Sequence, residues 1–236
     1  MPDTKPANAV IVAGHAVLKR FADPSSDDNW VLLDFQRGEA PCYVEHVRCG
    51  IDLAAADPQA LLIFSGGETR REAGRVSEAA SYLWIARHFD WFGHPGVGSR
   101  TATEEFARDS FENLLFGLCR FKECTGRYPA RVCLAGWAFK RGRFDLHRQA
   151  IRWPASRFAY AGANDPPDVV QALAAEARTH AGYVADPYSS GAEYRAKRAA
   201  RNPFGRQHGY GASCPELAPL LEHAGPEPYS GPLPWD

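Results

Sequence analysis

Apolar residues gather into short runs, each closed by glycine or proline, and between those runs they recur at helical spacing. Residues 9–13 (AVIVA), 60–65 (ALLIFS), 131–135 (RVCLA) and 157–161 (RFAYA) have the length and composition of strands buried on both faces. Gly14, Gly66, Gly136 and Gly162 follow them directly. In residues 41–56, Val44, Val47, Ile51 and Ala54 fall on one face of a helix that Asp57-Pro58 ends. From Val76 the period is again helical, through Ala79, Ala80 and Leu83 to about residue 89, where WFGHPG breaks it. Further helices are expected from Thr101 or Thr103, as N-cap, to Leu118, and over residues 144–151 and 168–182. Residues 30–33 read as a short strand or hairpin. Strand alternating with helix predicts an α/β fold: a three-layer Rossmann-like sandwich with a mainly parallel sheet.

The tail has a different character. Residues 195–201 form a basic helical run, and prolines and glycines dominate beyond it. The expected organisation is an α/β domain over residues 1–183. A C-terminal extension, 184–236, is laid over the same domain and extended from residue 202, with Trp235 as a pin.

Composition excludes more than it identifies. The 236 residues carry a formal charge of −1, so nothing global points to nucleic acid or to an anionic membrane as partner. No apolar run approaches the roughly 20 residues needed to cross a bilayer, and no signal peptide is visible. The six cysteines form neither CxxC nor a zinc-like cluster. The chain reads as a reduced, cytoplasmic protein.

Candidate chemistry lies where strands end, the place where open α/β sheets bind ligands. His15 follows the first strand and is a candidate acid/base group or a solvated loop residue. Gly66-Gly67 permit a close backbone approach, and Arg71 lies in the charged loop beyond them. Glu78 stands near the start of the next helix. Glu105, Asp109, Glu112 and Asn113 share one side of the helix expected after Thr101, as a solvated face or a working one. Lys140, Arg141 and Arg143 follow the third strand near a helix start, which suits an anionic group or a solvated basic turn. GxGxxG, GxxxxGK[ST] and GxSxG are all absent.

In order, AVIVAGH, FSGG, SEA (77–79), SFEN (110–113) and a strand followed by Phe139-Lys140-x-x-Arg143 resemble the motif set of the SanA/YdcF-like family, the domain of unknown function 218. The resemblance covers about residues 8–165. It implies a Rossmann-like sandwich and a site built from Gly14, Gly66, Gly67, Glu78, Glu112, Asn113 and Arg143. This chain departs from the family pattern at Gly14-His15, where Gly-Gly is usual, and at Lys140, where His is frequent. The residues themselves name no cofactor; the resemblance admits S-adenosylmethionine. Two functions are therefore expected as alternatives. One is an enzyme on a small anionic, phosphorylated or nucleotide-like substrate, with Glu78, Glu112 or His15 as acid/base groups and Arg71, Lys140 and Arg143 as anion ligands. The other is a protein that binds a nucleotide or S-adenosylmethionine without turning it over.

Overall fold

The computed structural model describes residues 5–236. Its strands are β1 (Asn8–Ala13), β2 (Val17–Leu18), β3 (Trp30–Val31), β4 (Ala60–Ser65), β5 (Thr101–Glu104), β6 (Arg131–Trp137) and β7 (Phe158–Asn164). Its helices are α1 (Ala40–Ala56), α2 (Glu78–His88), α3 (Ser110–Thr125), α4 (Arg141–Ala150), α5 (Val169–Ala185), α6 (Ala192–Ala200), α7 (Tyr210–Ser213) and α8 (Ala218–Leu221). Five strands form one parallel sheet in the order β5-β4-β1-β6-β7. β2 and β3 pair as a separate antiparallel hairpin.

The apolar runs are continuous because both sheet faces are covered. Val10, Val12, Leu62 and Phe64 meet α1 and α2, whereas Ile11, Ala13, Leu61 and Ile63 meet α3 and α4. The result is a three-layer Rossmann-like sandwich. Among the described residues no helix is long and apolar enough to cross a membrane.

One expected element is different. Residues 101–104 form the edge strand β5, paired with Leu62–Ser65, and not the first turn of a helix. Thr101 and Thr103 are β-branched and alternate with Ala102 and Glu104 along an open sheet edge, so pairing with β4 overrides their capping potential. Helix α3 starts at Ser110, capped by Asp109, whose Oδ1 accepts the Glu112 N–H at 2.9 Å. Glu105 therefore does not share a helical face with Glu112. The capping residue of α2 is Ser77, whose hydroxyl accepts the Ala80 N–H.

Residues beyond α5 run across the α3/α4 side. The Trp235 indole donates to the Ile151 carbonyl at 2.7 Å and packs on Trp153. Arg152 pairs with Asp236, and Tyr210 packs against Phe116. The segment after residue 202 is not uniformly extended, since α7 and α8 lie within it.

The strand order fixes where a ligand fits. From β1 the chain proceeds outward to β4 and β5, then returns across β1 to β6 and β7. The crevice between the carboxyl ends of β1 and β6 is the topological switch point of the sheet.

Candidate functional site

A cavity of about 440 Å³ opens at that crevice, a size suited to a small molecule. Gly14 and His15 reach it from the end of β1, and Trp137 from the end of β6. Glu78 enters from the first turn of α2, Ser110 and Asn113 from that of α3, and Lys140 and Arg143 from the start of α4. The far wall is made by α5 and by Lys197 and Arg201 at α6.

Glu78 lies at the centre of this arrangement because two glycines make room for it. A Cβ on Gly14 would stand 2.6 Å from the Glu78 Cβ, and one on Gly66 would stand 2.6 Å from its Oε2. Any side chain at either position would displace the carboxylate. The Thr69 hydroxyl donates to Glu78 Oε1 at 2.6 Å. Burial raises the pKa of this carboxyl above its usual range, against the pull of Arg201, Thr69 and Arg70. Glu78 thus holds a proton more readily than an exposed glutamate.

His15 is ringed by aromatic groups, with Trp137 stacked at 5.8 Å and His46 edge-on at 5.1 Å. Its Nε2 is out of solvent and has no protein partner among the described residues. Burial, followed by Lys140 and His46, lowers its pKa well below the ordinary value. The imidazole is therefore neutral, and its burial beside cations makes it a weaker proton acceptor than an exposed histidine. Gln36 supports the backbone there, donating to the His15 carbonyl at 3.0 Å and to the Tyr43 hydroxyl at 3.0 Å. Tyr43 in turn donates to Glu39 at 2.6 Å.

The cations divide into two groups. Arg143 is engaged in a bidentate pair with the buried Glu176 of α5, so its guanidinium ties α4 to α5. Arg108 is likewise held by Glu112. Lys140, Lys197 and Arg201, by contrast, have no carboxylate at salt-bridge distance among the described residues, although all three line the cavity. Burial, with Arg143 next, lowers Lys140 to about 7. Burial and then Arg201 lower Lys197 to about 8. Positive charge is thus crowded round the cavity, and a bound anion would relieve that repulsion.

Behind this wall Arg198 spans two carboxylates, with its Nε 2.6 Å from Asp109 Oδ2 and 3.2 Å from Glu112 Oε1. A second set of bonds joins the tail to the cavity. Tyr210 donates to Glu104 at 3.1 Å, and the Ser65 hydroxyl donates to the same carboxylate at 2.7 Å. Asn113 Nδ2 then donates to both the Ser65 carbonyl and hydroxyl, at 3.0 and 2.9 Å. Asn113, a mediocre helix former, is buried to make these bonds.

The candidate residues named from the sequence are thus sorted. Gly14, His15, Glu78, Asn113, Lys140 and Arg143 come together at the cavity. Gly66 and Gly67 lie behind it, one making room for Glu78 and the other backed against the Ala107 carbonyl. Glu112 is buried in its ion pairs with Arg108 and Arg198. Arg71 is exposed and remote, donating to the Pro203 carbonyl and facing the Phe204 ring. Lys197 and Arg201 were not assigned to the site from the sequence. Their i,i+4 spacing within the basic run was the available signal, but nothing local placed that run over the strand ends.

No family model matches the chain, and no solved structure matches it. The chain is similar to an uncharacterised protein of Saccharomyces cerevisiae, YOR238W, at 26% identity over an alignment of 274 positions that covers 90% of each chain.

Proposed function

We propose that this chain is an enzyme acting on a small anionic substrate, phosphorylated or nucleotide-like, held at the carboxyl ends of the strands. The observation that carries this reading is the convergence of Lys140, Lys197 and Arg201 on one cavity without carboxylate partners among the described residues. Those cations would bind the anion and stabilise charge that develops on it. Glu78, protonated more readily through burial, suits a general acid, and His15 is the candidate base that faces the same cavity. Glu112 has no part in this chemistry, because its oxygens are taken up by Arg108 and Arg198. Arg143 acts indirectly, by holding α5 against α4. The six cysteines are free thiols, which supports a reducing compartment such as the cytoplasm.

The test is a thermal-stability screen with pyrophosphate, ATP, sugar phosphates and S-adenosylmethionine, followed by product analysis for each hit. A ligand at 100 times its Kd stabilises the fold by about 2.7 kcal/mol. The expected result is stabilisation by phosphorylated compounds that is lost in Lys197→Ala/Arg201→Ala, together with turnover that is lost in Glu78→Gln. Stabilisation confined to S-adenosylmethionine, or binding without any chemical change, would replace this reading with that of a non-catalytic binder.

A further inference from the structure

Ser110 and His147 have no role in the chemistry proposed above. Ser110 is the first residue of α3 and lines the cavity. Its Oγ lies 2.8 Å from Nε2 of His147, which reaches it from α4, and 3.4 Å from the Tyr183 hydroxyl. The imidazole is 1% exposed, and its other nitrogen, Nδ1, is buried without a partner among the described residues. A purely structural role would leave this bare polar atom as an uncompensated cost. Three aromatic rings set edge-on fix the plane of the imidazole: Tyr183 at 4.4 Å, and Phe111 and Phe144 each at 5.7 Å. That cage fixes the ring's orientation, one of the tasks a carboxylate has in a three-residue relay.

We propose that Ser110 and His147 form a nucleophile and general-base dyad, and that a phosphoryl group passes from the substrate through Ser110. This rests on the anionic-substrate reading given above. Ser110 Oγ bonds to phosphorus as the bond from phosphorus to the ester oxygen breaks, and the hydroxyl proton moves to His147 Nε2. The departing oxygen takes a proton from Glu78. Water then attacks the phosphoryl-serine and gives a proton to the Glu78 carboxylate, while Ser110 Oγ leaves and recovers its proton from His147. The sum is phosphate ester plus water to alcohol plus phosphate.

Three features of the surroundings fit these steps. The backbone N–H groups of Ser110 and Phe111 have no carbonyl or side-chain acceptor among the described residues, as is usual in the first turn of a helix. They are unpaired donors at the start of α3, beside the Ser110 hydroxyl. Burial keeps His147 neutral at rest, with its pKa lowered to about 3, which makes it a weak base but leaves a ring nitrogen able to accept the Ser110 hydroxyl. Asp109 favours the imidazolium once it forms, whereas Arg143, Arg198 and His180 oppose it, so the proton is returned readily.

The full-length protein is incubated with diisopropyl fluorophosphate, and the adduct is read by intact mass and peptide mapping. One adduct on Ser110 is expected, absent in Ser110→Ala and formed at least a hundredfold more slowly in His147→Gln. Because His147 is buried, a second variant supports the test independently of that substitution. In Ser110→Cys the new thiol should react with iodoacetamide at least tenfold faster than the exposed Cys124. A folded wild-type protein with no adduct on Ser110, or a slow thiol in Ser110→Cys, overturns the dyad. The reagent is uncharged, so labelling does not depend on the cations. Stabilisation by pyrophosphate without labelling would leave the anion site standing and remove the dyad. Acid quenching during incubation with 4-nitrophenyl phosphate should trap one phosphoryl group on Ser110. Labelling by the fluorophosphate without that trapped group would overturn the phosphoryl assignment.

Discussion

Arg198 is where the C-terminal segment and the cavity wall meet, and replacing it by methionine has consequences that follow from the structure. The side chain is 16% exposed and lies between Asp109 and Glu112, which are 2% and 4% exposed. Glu112 keeps the paired contact of Arg108 after the substitution. Asp109 keeps the Glu112 N–H but loses its ion pair. Breaking a buried pair by removing one partner costs about 3–5 kcal/mol. The retained hydrogen bond puts the expectation at the low end, about 3 kcal/mol at neutral pH. For a chain of this length, that is a fall in Tm on the order of 6–12 °C.

The loss should depend on pH in a definite sense. In the native protein burial pushes the Asp109 carboxyl up, but Arg198 and the Glu112 N–H outweigh it and hold the pKa at about 2, below the ordinary 3.8. The stabilisation is therefore complete above roughly pH 4 and is lost as pH falls through 2. Without Arg198, burial and the neighbouring Glu112 carboxylate outweigh the remaining bond from the Glu112 N–H, and the folded-state pKa is expected to rise above the unfolded one. The penalty in Arg198→Met is then full at pH 8 and shrinks toward pH 5 as the site takes up a proton. Urea denaturation of both proteins from pH 5 to 8 measures this directly. Arg198→Met/Asp109→Asn should recover most of the loss, because it removes the stranded charge. A loss under about 1 kcal/mol, or one that does not vary with pH, would refute the assignment of Arg198 as a buried bridge.

Two further outcomes follow from the cavity. Lys140, held at about 7 by burial and by Arg143, is charged at pH 6 and mostly neutral at pH 8.5, so calorimetric titration with pyrophosphate should show tighter binding at the lower pH, with the slope reduced in Lys140→Arg. Gly14→Ala places a Cβ 2.6 Å from that of Glu78, and should cost about 1–3 kcal/mol in denaturant unfolding, as overpacking does; unchanged stability would show that Glu78 moves aside freely.

The fold was legible because burying strands on both faces leaves a strong mark, a run of apolar residues with a glycine at its end. Residues 60–65 carry that mark, and they form β4 at those bounds. Local signals misled at Thr101 and Thr103, because a capping residue and an edge-strand residue look alike until the partner strand is known. Gly14, His15, Glu78 and Lys140 were legible as site candidates because each sits within a few residues of a strand end, and the topology alone then brings them together. The charge balance of the site was not legible in the same way. Arg143 reads as a free cation until Glu176, 33 residues later, is seen to hold it. Glu112 reads as an acid facing a pocket until Arg198, 86 residues away, is seen beside it. Lys197 and Arg201 read only as part of a basic helical run, yet the fold places them over the strand ends. Which cations remain free for a ligand is decided by pairings between distant parts of the chain. The C-terminal segment supplies both kinds, since Arg198 neutralises the carboxylates behind the wall while Lys197 and Arg201 leave positive charge in front of it. An anion entering this cavity would therefore meet charge contributed largely by residues that follow the last strand of the sheet.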